Sequence, residues 1–217
     1  MLGNFEAAAA AFQSATALDA ENIPFYLGLA HAYGNLENYE AATQTYRQIL
    51  SLQPEYLEAK LGLGATLFRQ ESFEEALVVY HSILSQYPNN IQAIEAIGLA
   101  LLRLGQQEEA ITVLEQAITT GAVSNQVQLS LALAYLEVGN QEAGLALLRR
   151  IAETDRESID AQLQIGMILW QQGNLDAALE QYRQIIRLQP DSIAAHDAIA
   201  DIFFEQQNVL MTIVAHR

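Results

Sequence analysis

Apolar residues recur along this chain at intervals of three and four, the spacing of one helix face, and the pattern itself repeats every 34 residues. The phrase YRQILSLQP at 46–54 returns as YRQIIRLQP at 182–190, four periods later. One column of the repeat is small: Ala8, Ala42, Ala76, Ala110, Gly144 and Ala178. Four residues on stand the bulky Phe12, Tyr46, Tyr80, Leu114, Leu148 and Tyr182, and three further on Ala15, Ile49, Ile83, Ala117, Ile151 and Ile185. A second set, Leu29, Leu63, Ile97, Leu131, Ile165 and Ile199, is followed directly by the small Ala30, Gly64, Gly98, Ala132, Gly166 and Ala200. No insertion interrupts the register from residue 3 to residue 208.

The spacing predicts two helices per unit. The turn between them reads Gly3-Asn4, Glu37-Asn38, Glu71-Ser72, Gly105-Gln106, Gly139-Asn140, Gly173-Asn174 and Gln207-Asn208. Gly closes a helix in the left-handed conformation, and Asn or Ser then caps the next. The junction between units carries further capping residues, Asn22, Asn90, Ser124, Ser158 and Ser192, with Tyr56 as the exception; Pro54, Pro88 and Pro190 precede several of them. Small residues on one face let two helix axes approach closely, with large residues beside them. Each hairpin then keeps apolar surface that only a neighbouring hairpin can cover, so the units must stack.

These columns resemble the tetratricopeptide repeat, as found in bacterial arrays. The clearest unit is IDAQLQIGMILWQQGNLDAALEQYRQIIRLQPDS, residues 159–192, with Gly166, Gly173, Ala178, Tyr182 and Pro190 in the family's places. The resemblance covers 1–217 as a single array: a half unit at 3–22 holding only a second helix, full units at 23–56, 57–90, 91–124, 125–158 and 159–192, and a partial unit at 193–217. Gly144 stands where Ala is usual, and Ala20, Ala122 and Arg156 replace Pro, so those junctions are expected to be looser. The resemblance implies an all-α, right-handed α–α superhelix whose concave face is lined by the first helices. It also implies a non-enzymatic scaffold that binds other proteins.

Composition narrows the partners. The chain has 217 residues, 51% of them apolar, and a formal net charge of −16. A field of that sign repels phosphate backbones, so nucleic acid is not expected as a partner, and it disfavours anionic membrane surfaces. No apolar run reaches the length of a membrane span. Cysteine is absent, which removes disulfides and thiolate chemistry and fits a reducing compartment. The alanine-rich opening reads as an amphipathic helix rather than a signal peptide, because it carries Glu6 and Gln13 and no basic start. The expected location is cytoplasmic.

Catalytic motifs are missing, and no cofactor or metal is expected. GLGATL at 62–67 lacks a preceding strand and a third glycine, so close packing explains Gly62 and Gly64 better than phosphate binding. His31, His81, His196 and His216 fall at four different repeat positions, without ligand spacing. Glu74-Glu75 and Glu108-Glu109 open second helices, where carboxylates complement the helix dipole.

The family resemblance assigns ligand-facing roles to unit positions 2, 5, 9, 12 and 13. Those positions supply the candidate groove residues Leu61, Phe68, Arg69, Leu99, Leu102, Arg103, Leu133, Leu136, Met167, Trp170 and Phe204. Two readings stay open: the leucines bury themselves between adjacent helices, or the set forms an exposed apolar stripe, which marks a binding site. Large aromatics and Met are typical anchors, so Phe68 and Trp170 favour the second. A partner's amphipathic helix or extended apolar segment would fit such a groove, with basic flanks to match its acidic ends, Glu137 and Glu205. The grip on a terminal carboxylate used by some relatives is not expected, since Leu27, His31, Gly62, Gln92 and Ala96 occupy its positions, and Asn35 alone speaks for a peroxisomal-signal site. The ends are apolar, including Val209, Leu210, Met211, Ile213 and Val214. Either the chain belongs to a longer array, such as the accessory part of an enzyme or an assembly factor, or the ends are covered by another copy in a homo-oligomer.

Overall fold

A computed structural model of the protein describes residues 2–121, 124–155 and 158–215, without side chains at 2–3 and 207–215. Ala122, Arg156 and His216 lie outside the described residues. Twelve α-helices and no strand occur among them. In chain order these are α1 (Leu2–Leu18), α2 (Ile23–Asn35), α3 (Tyr39–Leu52), α4 (Leu57–Arg69), α5 (Phe73–Leu84) and α6 (Ile91–Arg103). Then follow α7 (Gln107–Thr119), α8 (Asn125–Glu137), α9 (Gln141–Thr154), α10 (Ile159–Gln171), α11 (Leu175–Leu188) and α12 (Ile193–Ala215). The even-numbered helices begin on Ile23, Leu57, Ile91, Asn125, Ile159 and Ile193, one period apart.

The left-handed closure inside each hairpin follows from its residues, but the expected side-chain cap forms only in part: Ser72 and Asn174, and Ser158 between hairpins, make no capping bond. Gly105, Gly139 and Gly173 take φ of +71°, +80° and +75°, and Glu37 and Glu71 reach the same region at 57° and 60°. The next amide then reaches back five residues, as in Asn140 N to Tyr135 O at 2.8 Å and Asn38 N to Tyr33 O at 3.0 Å. This bond satisfies a carbonyl that the helix end would otherwise leave open. Asn38 and Asn140 cap the following helix by accepting from Ala41 N (3.2 Å) and Ala143 N (3.3 Å). Between hairpins, Asn22, Asn90 and Ser124 accept from Phe25 N, Ala93 N and Val127 N. Tyr56 offers no such bond.

Two turn signals do not produce turns. Gly3-Asn4 lies in the first turn of α1, and α12 runs unbroken through Gln207-Asn208. At 207 the left-handed conformation would fall on Gln, a residue that loses energy there and none in a helix.

The helices group into two compact units, Met1–Val127 and Gln128–Arg217. In the first, α1 to α7 pack on one another in chain order, and α4 also touches α6, so these two first helices lie side by side. In the second, α9 to α12 pack in the same order and α10 touches α12. Leu129 and Ala132 of α8 join Leu145, Leu148 and Ile151 of α9 and Ala161, Ile165 and Ile168 of α10 in one core cluster.

The small-and-bulky columns meet as lock and key. A Cβ added to Gly64 would sit 2.6 Å from the Tyr80 ring, and one added to Gly62 would sit 2.3 Å from Tyr46 Cζ. Phe12 and Tyr46 thus abut a glycine of the next unit's first helix, Tyr80 and Tyr182 one of their own, and Leu114 takes the same place against Gly98. Burial raises the pKa of the Tyr80 phenol to about 12; burial, and then the nearby Glu58, do the same for Tyr46.

Candidate peptide-binding groove

The first helices α4 and α6 carry the candidate residues of the first unit, and the turn at Glu71 brings Phe73 of α5 up beside them. Two adjoining hollows result. One, of about 770 Å³, lies between α4 and α6 and is lined by Phe68, Arg69, Phe73, Glu95, Leu99 and Arg103, among others. The second, of about 600 Å³, shares Ala65, Tyr80 and Gln92 with it and adds His31 and Leu61. Phe68 is half-buried and meets Phe73 edge to face, with ring centroids 5.1 Å apart. This geometry is attractive for aromatic pairs and fixes the Phe68 ring against the wall. Leu102 is half-buried on α6 and lines neither hollow.

The charges of this site are arranged by helix position. Arg69 and Arg103 occupy the last turns of α4 and α6 and are exposed. Glu95 lies two turns before Arg103 on α6, and partial burial raises its carboxyl above the usual range. Three cations elsewhere are paired, Arg47 with Glu75 at 3.0 Å, Arg187 with Glu180 at 2.8 Å, and Lys60 with Glu55, while Arg149, Arg150 and Arg183, like Arg69 and Arg103, form no ion pair with a described residue. The Lys60 and Gln86 side chains both donate to Glu55 and hold its carboxyl below the usual range.

In the second unit the candidate residues separate. Leu133 and Leu136 are half-buried and pack against the α8–α9–α10 cluster. Leu136 Cδ2 lies 2.7 Å from where a Cβ on Gly144 would be, so it fills the space that the missing side chain leaves. Met167 on α10 is 38% exposed and Phe204 on α12 is 67% exposed. Trp170 is half-buried, leans on the cluster formed by Ala178, Leu179, Tyr182 and Ile202, and donates its indole N–H to Glu205 at 2.8 Å. Its ring is therefore held partly by the fold itself.

Sequence reasoning missed Phe73, Tyr80 and Gln92 as groove residues. A signal for Phe73 was present: it opens a second helix, where the other units carry Tyr39, Gln107, Gln141 and Leu175, and it stands five residues from Phe68 across a tight turn. Among the described residues no three His, Asp or Glu side chains gather to hold a metal ion, and no helix is long and apolar enough to cross a membrane.

Comparison with known proteins agrees with this architecture. Tetratricopeptide repeat models match residues 27–91, 67–134 and 125–150, and a further repeat model of that family matches 166–207. No match was found among curated proteins. Among solved structures, YrrB, described as a TPR protein with an unusual peptide-binding site, is 24% identical with a TM-score of 0.60, over 88% of this chain and 98% of its own. TTC0263, a thermophilic TPR protein of Thermus thermophilus, is 20% identical with a TM-score of 0.70, over 84% and 100%. MamA of Desulfovibrio magneticus is 19% identical with a TM-score of 0.66, over 79% and 97%. At these identities the likeness is one of fold, the all-α solenoid of paired helices. With the repeat read from the residues, seen in the helices and matched along most of its length, the chain belongs to the tetratricopeptide repeat family.

Proposed function

We propose that the protein is a non-enzymatic scaffold that holds a partner polypeptide, an amphipathic helix or an extended apolar segment, on its first-helix face. The observation that carries this reading is the open 770 Å³ hollow in which Phe68 and Leu99 remain only half-covered. An apolar concavity with a few polar groups around it is the usual form of a binding site. That YrrB is described as having a peptide-binding site supports the same use of the fold. Met167 and Phe204 add exposed apolar surface on the second unit. The cysteine-free sequence fits a reducing, cytoplasmic setting.

The test is affinity capture with the full chain and its Phe68→Ala variant, with Val78→Ala on α5 as an exposed apolar control. Removing an aromatic anchor costs roughly 2 kcal/mol or more of binding, about 30-fold. At least one captured protein should be lost with Phe68→Ala and kept with Val78→Ala. If every captured protein survives Phe68→Ala, the hollow is not the docking site. Self-association is a second reading, favoured by the exposure of Ile193, Phe203 and Phe204 on α12; sedimentation that stays monomeric across concentration would remove it.

A further inference from the structure

The hollow between α4 and α6 is polarised in charge as well as apolar. Its lining has Arg69 and Arg103 at one end, Phe68 and Leu99 in the middle and Glu95 further along α6. Arg69 and Arg103 are the only arginines on any of the first helices, and they stand at the same repeat position, one unit apart. Neither makes an ion pair with any described residue, although acidic residues outnumber basic ones by 26 to 10. The helix dipole alone does not require them, since α2, α8, α10 and α12 end without a basic residue in their last turns. Two guanidiniums at the rim of one apolar hollow, in a chain this acidic, match a carboxylate brought from outside.

The other end has the opposite sign. Glu95 and Arg103 are eight residues apart on one helix, about 12 Å at 1.5 Å per residue. Between them the floor is Leu99, with Phe68 beside it. We propose, building on the groove reading above, that this hollow recognises a polypeptide segment carrying three groups in order. A carboxylate side chain meets Arg69 and Arg103, an apolar or aromatic side chain rests on Phe68 and Leu99, and a basic side chain meets Glu95. In a partner helix lying along α6 the two charged groups stand about two turns apart; in an extended segment they stand about four residues apart. The order of charges fixes the direction in which the partner lies, which an apolar floor alone does not do. Burial holds the Glu95 carboxyl above the usual range, and an arriving cation relieves that cost.

The experiment is selection of displayed random twelve-residue peptides on the full chain, followed by binding titrations of the enriched peptides against variants. Wild type should enrich peptides with Asp or Glu on one side of an aromatic or aliphatic residue and Lys or Arg on the other. Arg69→Glu together with Arg103→Glu should weaken them at least tenfold and, in a fresh selection, enrich a base where wild type enriches an acid. Both arginines are exposed, so matching melting curves will show that the double variant is folded. Enriched peptides that need Phe68 but show no charge order, or that tolerate the double charge reversal, overturn this inference and leave the groove reading standing. Peptides that bind equally well to Phe68→Ala, or a selection that enriches none, overturn both.

Discussion

Gly62 and Tyr46 show how much of this protein is decided by single side chains. The Tyr46 ring lies against Gly62 so closely that a Cβ there would be 2.3 Å from ring carbon. Gly62→Ala should therefore force the ring or the α4 backbone to move and cost about 1–3 kcal/mol, read as a fall in melting temperature. An unchanged melt would mean that the ring swings aside freely. Gly144 is the reverse case: it is the one glycine in a column of alanines, and Leu136 occupies its space. That pairing also explains why the sequence could not tell whether Leu136 is exposed. Repeat position names the face of a helix, but coverage depends on what the neighbouring helix leaves empty. Glu95 carries a pH signature. Its folded pKa is raised by burial, so its contribution to stability is fully present in acid and lost as pH rises through the raised value. Glu95→Gln should raise the melting temperature at neutral pH, with the advantage shrinking as pH falls through the carboxylate range. An advantage of the same size at every pH would show that charge is not its origin.

At the scale of the helix, the left-handed turn is the recurring device. Three hairpins meet it with glycine, while Glu37 and Glu71 adopt positive φ without one. A side chain in that region loses about 1–2 kcal/mol, more than glycine's extra chain entropy offsets. Glu37→Gly should then stabilise the protein by about 0.5–1 kcal/mol, seen as a higher denaturant midpoint with an unchanged slope. A lower midpoint would mean that the Glu side chain supports the turn in some other way. Helix starts were legible because each unit repeats the same apolar columns, caps and turn residues, and six first helices begin in register. The continuation of α12 through Gln207-Asn208 was not legible. There the turn would need a left-handed residue without glycine, which Glu37 and Glu71 supply in other units, so the local sequence reads alike in both cases. Phe73 was hidden for a related reason, since a tight turn brings it to Phe68 although the two occupy different helices.

At the scale of the molecule, the division into two units gives Trp170 an unplanned use. It is the only tryptophan in the chain, it lies in the second unit, and its indole N–H is tied to Glu205 of α12. Seven of the nine tyrosines, Tyr26, Tyr33, Tyr39, Tyr46, Tyr56, Tyr80 and Tyr87, lie in the first unit. Repeat arrays need not unfold in one step, because each hairpin is stabilised mainly by its neighbours. Indole emission in urea should therefore follow the departure of α12 and the unwinding of the second unit, while tyrosine absorbance follows the first. The two curves should have different midpoints; if they superimpose, the array melts as one cooperative body. Nature has thus supplied the chain with two native dyes, one for each unit, and an ordinary fluorimeter can watch the halves come apart separately.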